Sequence, residues 1–425
     1  MNRRDFLKSI IYSAGLPALT LYDQHSSAQT GFNGKFLITV QLDGGVDVTS
    51  FCDPKVNVSG EREINWWARS ADPLSIGNLS YAPFAANQTF FEKHYQKMLV
   101  INGVDAQTNS HTVGIVNNWS GRNSDGFPSV TALYAANVAP ALPLSYLNFG
   151  GYGVTSGIIR STVIDEILDL RNLLFPNQYE DRKMRRSEEW DAIRALHVKN
   201  NQRLVNAAGI TVGDRRNREI FSQAFDRTEA LQSFGAVLPD ENSIQKVRSV
   251  NDDESTLHQQ AQAALLAFKS GAGVAADLFE GGYDTHRDHD KEHEPLLANS
   301  TDAIDYLWTY AEELGLADRL VVLIGSDFGR TPHYNGAAGK DHWPIGSYIV
   351  MEKNANFTNR VVGYTDEGHN TYPINPSSLQ RDDFSGEIIK PAHVHQALRK
   401  YLGIHDSAIS QNYEFQNTID FDFFA

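Results

Sequence analysis

The chain of 425 residues has little cysteine, no long apolar run and fewer basic than acidic residues. It has one cysteine, Cys52, so no intrachain disulfide can form. It has no internal run of about 18 apolar residues, so we expect no stable membrane span. Its 37 basic residues are outnumbered by 52 acidic ones, and a net charge of -15 argues against nucleic acid as a partner. The hydrophobic fraction of 41% is ordinary and predicts a globular protein.

The first 28 residues differ in kind from the rest. Arg3 and Arg4 precede a mildly apolar run at 10–21, and small residues end the segment at Ala28. This pattern resembles a twin-arginine (Tat) export signal, and the alternative is a basic amphipathic helix of the mature protein. The resemblance implies the Tat translocase as a partner during export and a periplasmic or extracellular destination.

Strand, polar loop and helix alternate along most of the remaining chain, residues 29–425. Four β-rich apolar runs, each followed by a polar loop, lie at 35–45, 98–104, 272–279 and 319–326. The region from about 160 to 250 is polar and has helical periodicity, which predicts a helical insertion rather than a separate domain. The pattern as a whole predicts one α/β domain.

The first two predicted strands each lead into a loop with candidate site residues. Asp43 and Asp47 follow the first strand in LDGGVD, where carboxylates beside glycines suit a divalent cation, although an aspartate capping a turn is the alternative. Ser110, His111 and Thr112 stand where a helix begins after the second strand. A hydroxyl there is well placed as a nucleophile, yet the same position suits an ordinary helix cap.

The third predicted strand is followed by YDTHRDHDKEHEP, residues 283 to 295. Asp284 and His286 come directly after the strand and can reach one ion together. His289 and His293 are spaced as i and i+4 on the next helix, and we interpret them as part of a solvated polar face. Mixed nitrogen and oxygen ligands suit Zn, Mn or Fe.

The fourth predicted strand runs into IGSDFGRTPHYNGAAGKDHW, residues 324 to 343. Asp327 stands at the strand end, and His342 follows a glycine-rich loop that lets it fold back to complete a metal site. Arg330 can clamp an anion through two parallel hydrogen bonds. The alternative is a polar surface loop.

The order of these pieces resembles the alkaline phosphatase-like superfamily, which includes phosphatases, sulfatases and phosphomutases. The run from YDTH to KDHWP is more closely similar to the DUF1501 family of exported proteins, with support from FCDPK at 51–55 and Gly-x-Thr-Asp at 363–366. The resemblance implies a central, mostly parallel sheet flanked by helices, with a helical insertion. It also assigns site positions: Asp43 as first-strand ligand, Ser110 or Thr112 as nucleophile, Asp284 with His286 as one metal pair, Asp327 as second-metal carboxylate and His342 as closing histidine.

Two details complete what the resemblance implies. Phe328 stands where the superfamily often has a metal-binding histidine, and Asp341 is expected to orient the His342 imidazole. The function implied is an exported, metal-dependent hydrolase of phosphate or sulfate esters, acting on an anionic small-molecule or glycan ester. The alternative is a non-catalytic exported protein with the same fold that binds a glycan or a partner protein.

Overall fold

The computed structural model describes most of the chain beyond its first 31 residues. The described residues are 32–164, 170, 174, 187–207, 209–226, 228–239, 247–248, 254–255 and 257–425. The predicted export signal and parts of the predicted insertion lie outside these ranges.

Strands and helices are interspersed along the described chain. The strands are β1 Phe36–Leu42, β2 Leu74–Ile76, β3 Leu79–Tyr81, β4 Met98–Asp105, β5 Tyr146–Asn148, β6 Thr162–Val163, β7 Val247–Arg248, β8 Glu254–Ser255, β9 Ala275–Glu280, β10 Leu320–Ser326, β11 Gly329–Arg330, β12 His342–Trp343, β13 Ile345–Glu352 and β14 Arg360–Val362. The α-helices are α1 Asn87–His94, α2 His111–Ser120, α3 Val130–Val138, α4 Ser187–Val205, α5 Val212–Asp226, α6 Thr228–Val237, α7 Leu257–Lys269, α8 His289–Glu313, α9 Pro391–Tyr401 and α10 Ala408–Gln411.

Eight strands form the central sheet, in the order β14-β4-β13-β10-β1-β9-β5-β6. β1 lies between β9 and β10 and is parallel to both. β5 is parallel to β9 and β6, and β14 is parallel to β4. β13 runs antiparallel to its two neighbours, β10 and β4. The sheet is therefore mostly parallel, and helices α2, α3 and α7 pack on it, which confirms the predicted fold class.

The central strands are the most apolar part of the sheet, because a strand of a parallel sheet is covered on both faces. All seven residues of β1 are buried, and six of the seven in β10. The main core surrounds these strands and includes the aromatic side chains of Phe36 and Phe268, which stack with their ring centroids 4.9 Å apart. Rigid central strands of this kind hold the loops at their ends in fixed positions.

Most of the described residues of the predicted insertion are helical, in α4, α5 and α6, and the two-residue strands β6 and β7 lie close to its predicted limits. Its limits at about 160 and 250 stay a prediction. None of the described helices is both long and apolar enough to cross a membrane. Cys52 is a buried free thiol.

Candidate metal centre

Three neighbouring strands end at the same edge of the sheet, and each is followed by an aspartate. Asp43 follows β1, Asp284 follows β9 and Asp327 follows β10. Gly44 has a φ of +111°, and a Cβ there would lie 2.5 Å from the Asp284 amide nitrogen. Only glycine allows the β1 loop to lie this close to the β9 loop, so the two aspartates meet at one edge.

Helix α2 brings His111 over the end of β10. His111 is the first residue of this helix. A Cβ at Gly114, one turn on, would lie 2.7 Å from the Asp327 carbonyl oxygen, so a glycine is needed for this approach. The Asn118 side-chain amide donates a hydrogen bond to the same carbonyl oxygen. The helix start is thereby fixed beside Asp327.

A short antiparallel ribbon returns His342 to the same edge. β11 pairs with β12 so that Arg330 lies opposite His342. The Thr331 amide donates to the Asp341 carbonyl oxygen at 2.8 Å, which closes the ribbon. The glycine-rich loop predicted to fold back therefore does so.

Four side chains converge at this edge, and we call them the ligand cluster: His111, Asp284, His286 and His342. The His342 Nε2 lies 3.0 Å from the Nε2 of His111 and 3.0 Å from the Nε2 of His286. It also lies 3.1 Å from Asp284 Oδ1. One ligand atom each from His111, Asp284 and His342 lie within 4.8 Å of one another, and His286 Nε2 is 3.0 Å from Asp284 Oδ1.

The other ring nitrogen of each histidine faces a hydrogen-bond acceptor. His111 Nδ1 lies 2.5 Å from Asp327 Oδ2, and His286 Nδ1 lies 2.8 Å from Asp341 Oδ1. His342 Nδ1 lies 2.7 Å from the Asn109 carbonyl oxygen. An ionised carboxylate and a carbonyl can only accept, so these partners assign a proton to each Nδ1 and a lone pair to each neutral Nε2.

Converging lone pairs of this kind require a cation between them or an added proton. Ligands 2.0 to 2.2 Å from a tetrahedral ion are separated by about 3.3 to 3.6 Å, and the ligand atoms of His111, His342 and Asp284 lie 3.0 to 3.4 Å apart. The carboxylate and carbonyl partners behind the imidazoles are those that typically orient metal-bound histidines. The two nitrogens and one oxygen of His111, His342 and Asp284 therefore fit a divalent transition metal such as Zn, Mn or Fe, and His286 lies beside them.

Arg330 holds Asp284 within the cluster. Its buried guanidinium donates to the carbonyl oxygens of Gly44, Gly45 and Lys340, and to Asp284 Oδ1 at 2.6 Å. Burial acts to raise the pKa of Asp284, but Arg330 outweighs it and lowers the pKa to about 2. Asp284 is therefore a carboxylate at neutral pH, and Arg330 serves as its partner rather than as an open anion clamp.

Asp43 and Phe328 border the cluster without joining it. Burial, and then the neighbouring charges of Asp327 and Asp284, raise the pKa of the half-buried Asp43. The Phe328 ring packs against the imidazoles of His111 and His342, with centroid distances of 4.7 and 4.8 Å. At position 328 the chain therefore has an apolar side chain beside the imidazoles and not a further histidine ligand.

A second polar group lies deeper in the protein, and we call it the Asp47 centre: Asp47, Thr49, Asn65, His289 and Lys340. Asp47 and Lys340 are both fully buried, and Lys340 Nζ lies 2.7 Å from Asp47 Oδ2. His289 Nε2 lies 3.1 Å from the same oxygen. Burial acts to raise the pKa of Asp47, but Lys340 and then His289 hold it well below its ordinary value.

The Asp47 centre corrects one interpretation made from the sequence. His289 and His293 are fully buried and do not form a solvated face. Their rings stack 4.5 Å apart, and His293 Nε2 accepts from the Asp47 amide at 3.1 Å. Burial lowers the pKa of both imidazoles. The i, i+4 spacing marked the inner face of α8 instead of its outer face.

The remaining predicted site residues lie outside the ligand cluster. Asp47 belongs to its own centre, so the structure does not place it among the possible ligands. Ser110 and Thr112 flank His111 but are exposed, and Ser110 makes no side-chain capping bond. Asp327 contacts the cluster through His111, while its other oxygen accepts from the Gly45 amide at 2.7 Å.

Two supporting contacts differ from the sequence prediction. Asp341 orients His286 and not His342, whose Nδ1 is held by the Asn109 carbonyl oxygen. A backbone carbonyl has no signature in the residue type, so no sequence signal could have identified Asn109. The signal for His111 was present, because a histidine at a predicted helix start lies near the strand ends.

Comparison with known proteins gives a family match and a fold similarity. No curated protein matches the sequence. Among similar solved structures, BT33494S-sulf comes from a Bacteroides thetaiotaomicron locus for metabolism of multiple glycosaminoglycans. It is 9% identical, with a TM-score of 0.39 over 88% of this chain and 74% of that chain.

Two further solved structures are equally distant in sequence. TAB5 alkaline phosphatase, with Mg bound, is 9% identical, with a TM-score of 0.35 over 77% of this chain and 95% of its own. A Vibrio parahaemolyticus protein in the alkaline phosphatase superfamily is 9% identical, with a TM-score of 0.36 over 92% of this chain and 76% of its own. Similarity at this level says nothing about a substrate. A family model described as a protein of unknown function (DUF1501) matches residues 170–395, more than half of the chain.

Proposed function

The chain belongs to the DUF1501 family, whose description gives no activity, and from this premise we propose that it is a metal-dependent hydrolase of phosphate or sulfate esters. The observation that supports the proposal is the convergence of three Nε2 lone pairs on Asp284 Oδ1. His111, His342 and Asp284 would hold the ion, with His286 beside them. A divalent ion in such a site supplies Lewis-acid stabilisation of developing negative charge and favours the ionised form of a nucleophile.

The chain's own groups have separate parts in this proposal. Asp327 and Asp341 keep the protons of His111 and His286 on Nδ1, so that both Nε2 lone pairs face the ion. Arg330 keeps Asp284 ionised. Asp43 remains a proposed further ligand at the same edge, and Phe328 excludes water from one side of the imidazoles.

The nucleophile is proposed to come from the start of α2 or from water. Ser110 and Thr112 flank the His111 ligand, and a helix N-terminus stabilises an ionised oxygen. The substrate is proposed to be an anionic small-molecule or glycan ester. We also propose export by the Tat translocase to the periplasm or the exterior, because Arg3 and Arg4 begin an export-like segment.

The proposal is tested on purified mature protein, residues 29–425. Elemental analysis should find a divalent transition metal, and the protein should hydrolyse an aryl phosphate or an aryl sulfate. His342→Ala and Asp284→Ala should lose both metal and turnover. His333→Ala is the matched control, since His333 lies in the same loop with its ring near the Glu63 carbonyl oxygen. Wild-type protein that takes up no metal and turns over neither ester would overturn the proposal.

One observation favours the non-catalytic alternative. The guanidinium of Arg330 already binds Gly44, Gly45, Lys340 and Asp284. The guanidinium that was expected to bind an ester's oxygens thus already donates its hydrogen bonds to the protein. If the wild-type protein binds metal but cleaves neither ester, a metal-stabilised binding protein for a glycan or a partner becomes the better description.

A further inference from the structure

The Asp47 centre connects the chain segments that carry the ligand cluster. Lys340 comes two residues before His342, and Asp47 comes four residues after Asp43. Thr285 stands between Asp284 and His286 and is 1% exposed. One buried group of polar side chains therefore lies directly behind three loops that end in possible ligands.

Lys340 is held by both its side chain and its backbone. Its Nζ donates to Asp47 Oδ2 at 2.7 Å and to Asn65 Oδ1 at 2.8 Å. Its amide donates to the Thr285 carbonyl oxygen at 3.1 Å, and its carbonyl oxygen accepts from Arg330 Nη1 at 3.1 Å. The path of the chain from Lys340 to His342 is thus fixed from one side by the buried ammonium.

The same centre also fixes the loop after β9. The Thr285 hydroxyl and His289 Nδ1 lie 2.7 Å apart, and His289 Nε2 lies 3.1 Å from Asp47 Oδ2. Because Asp47 is acceptor only, it assigns the ring proton to Nε2, and Nδ1 accepts from the hydroxyl. A chain of hydrogen bonds therefore runs from Asp47 to the residue between Asp284 and His286.

The ammonium of Lys340 acts here as an internal cation surrounded by oxygen atoms. Asp47, Asn65 and Thr49 supply those oxygens, the last at 3.3 Å. A buried carboxylate that loses its cation must be protonated, move or take up water. Each of these changes would displace the loops that carry the ligand cluster. Metal binding requires these loops to keep their positions to within a few tenths of an ångström.

We propose that the Asp47 centre positions the ligand cluster, with Lys340 and Asp47 as positioning residues that set its affinity for a divalent metal ion. The inference rests on the proposed function, since it concerns the same metal centre. It makes a distinct claim, that metal affinity depends on residues that do not contact the ion.

The experiment measures binding of Co²⁺ to metal-stripped protein, by its dissociation constant and its visible absorption. The variants are Lys340→Met and the charge-balanced double variant Asp47→Asn with Lys340→Met. The matched control is Lys35→Met with Glu352→Gln. That pair, 2.7 Å apart, lies at the opposite end of β1 from the candidate site. The free energy of unfolding is measured for every protein.

We expect the double variant to bind Co²⁺ at least tenfold more weakly, with an altered absorption spectrum, and the control to stay within twofold of wild type. A folded double variant with wild-type affinity and spectrum would overturn the inference. Thr285→Val removes only one hydrogen bond of the network and is expected to stay folded. It therefore tests the positioning role if both Lys340 variants unfold. It should weaken Co²⁺ binding several-fold, and unchanged binding in that variant would equally overturn the inference.

The two proposals fail in different ways. If wild-type protein does not bind Co²⁺, the metal centre itself, and with it the proposed function, is wrong. If wild type binds Co²⁺ and the positioning variants bind it equally well, only the positioning role is wrong.

Discussion

The ligand cluster and the Asp47 centre both contain histidine and aspartate, but these side chains are arranged in opposite ways. In the ligand cluster, acceptors behind the imidazoles hold the ring protons on Nδ1 and leave the Nε2 lone pairs facing one another. In the Asp47 centre, the carboxylate holds the His289 proton on Nε2, and a lysine supplies the positive charge. The comparison shows that partners and burial, rather than the presence of His and Asp, determine whether a site suits a metal.

The largest expected difference between the two regions is in stability. Lys340→Met leaves Asp47 as an unpaired buried anion and should lower the free energy of unfolding by about 3 to 5 kcal/mol. His286→Ala in the ligand cluster should cost about 1 kcal/mol or less in metal-free protein, because its side chain is 43% exposed. Denaturant unfolding of both variants checks this, and similar losses would contradict the contrast.

The acid stability of the protein should depend on Asp47. Its pKa is lower in the folded than in the unfolded protein, where the ordinary value is 3.8. The ionised carboxylate therefore stabilises the fold above about pH 4, and this stabilisation is lost as the pH falls through the folded pKa. Asp47→Asn should be less stable than wild type at pH 6, and the gap should narrow below pH 4. A stability difference between the two proteins that widens on acidification would contradict a lowered pKa of Asp47 in the folded protein.

A smaller effect is expected from the carboxylate that orients His286. Asp341→Asn should weaken metal binding by about tenfold, because the ring loses the acceptor that fixes its proton on Nδ1. The Asp341 side chain is 54% exposed, so stability should change little. Calorimetric titration with Zn²⁺ measures the affinity, with Asp288→Asn, an exposed aspartate of the loop that carries His286, as control. Equal Zn²⁺ affinities of Asp341→Asn and Asp288→Asn would show that Asp341 does not support the metal centre.

The smallest effects on metal binding are expected at the start of α2. Ser110→Ala and Thr112→Ala should leave metal affinity within about twofold and stability within about 0.5 kcal/mol, because both side chains are exposed. Their effect on ester hydrolysis distinguishes the two proposed nucleophiles. Loss of turnover with metal retained would identify the hydroxyl concerned as the nucleophile, whereas unchanged turnover in both variants would favour water.

The sequence predicted the central strands well because their signal is local. The apolar runs before Asp43, Asp284 and Asp327 correspond to β1, β9 and β10. The pattern did not identify β13, which is antiparallel to β10. Strand direction depends on how distant segments pair, and a single strand's composition does not encode it.

The candidate site was predictable as a set of loops but not as a set of contacts. Parallel neighbours place their carboxyl ends at one edge, so Asp284 and Asp327 could be expected near each other. The burial of His289 and the pairing of Asp341 with His286 depend on how the loop 331–341 folds, and glycines leave that loop many paths. Which aspartate joins the ligand cluster and which pairs with a lysine is decided only when these loops meet.

The close approach at Gly114 ties the residue type at this position to the histidine at position 111. Any side chain there would push α2 away from Asp327 and carry His111 out of reach of the other ligands. A relative that keeps a histidine at the helix start should therefore keep the glycine one turn later, whereas a relative that has lost the histidine is free to change both. Across many sequences, the joint presence of the two residues would mark the members that keep the proposed metal centre.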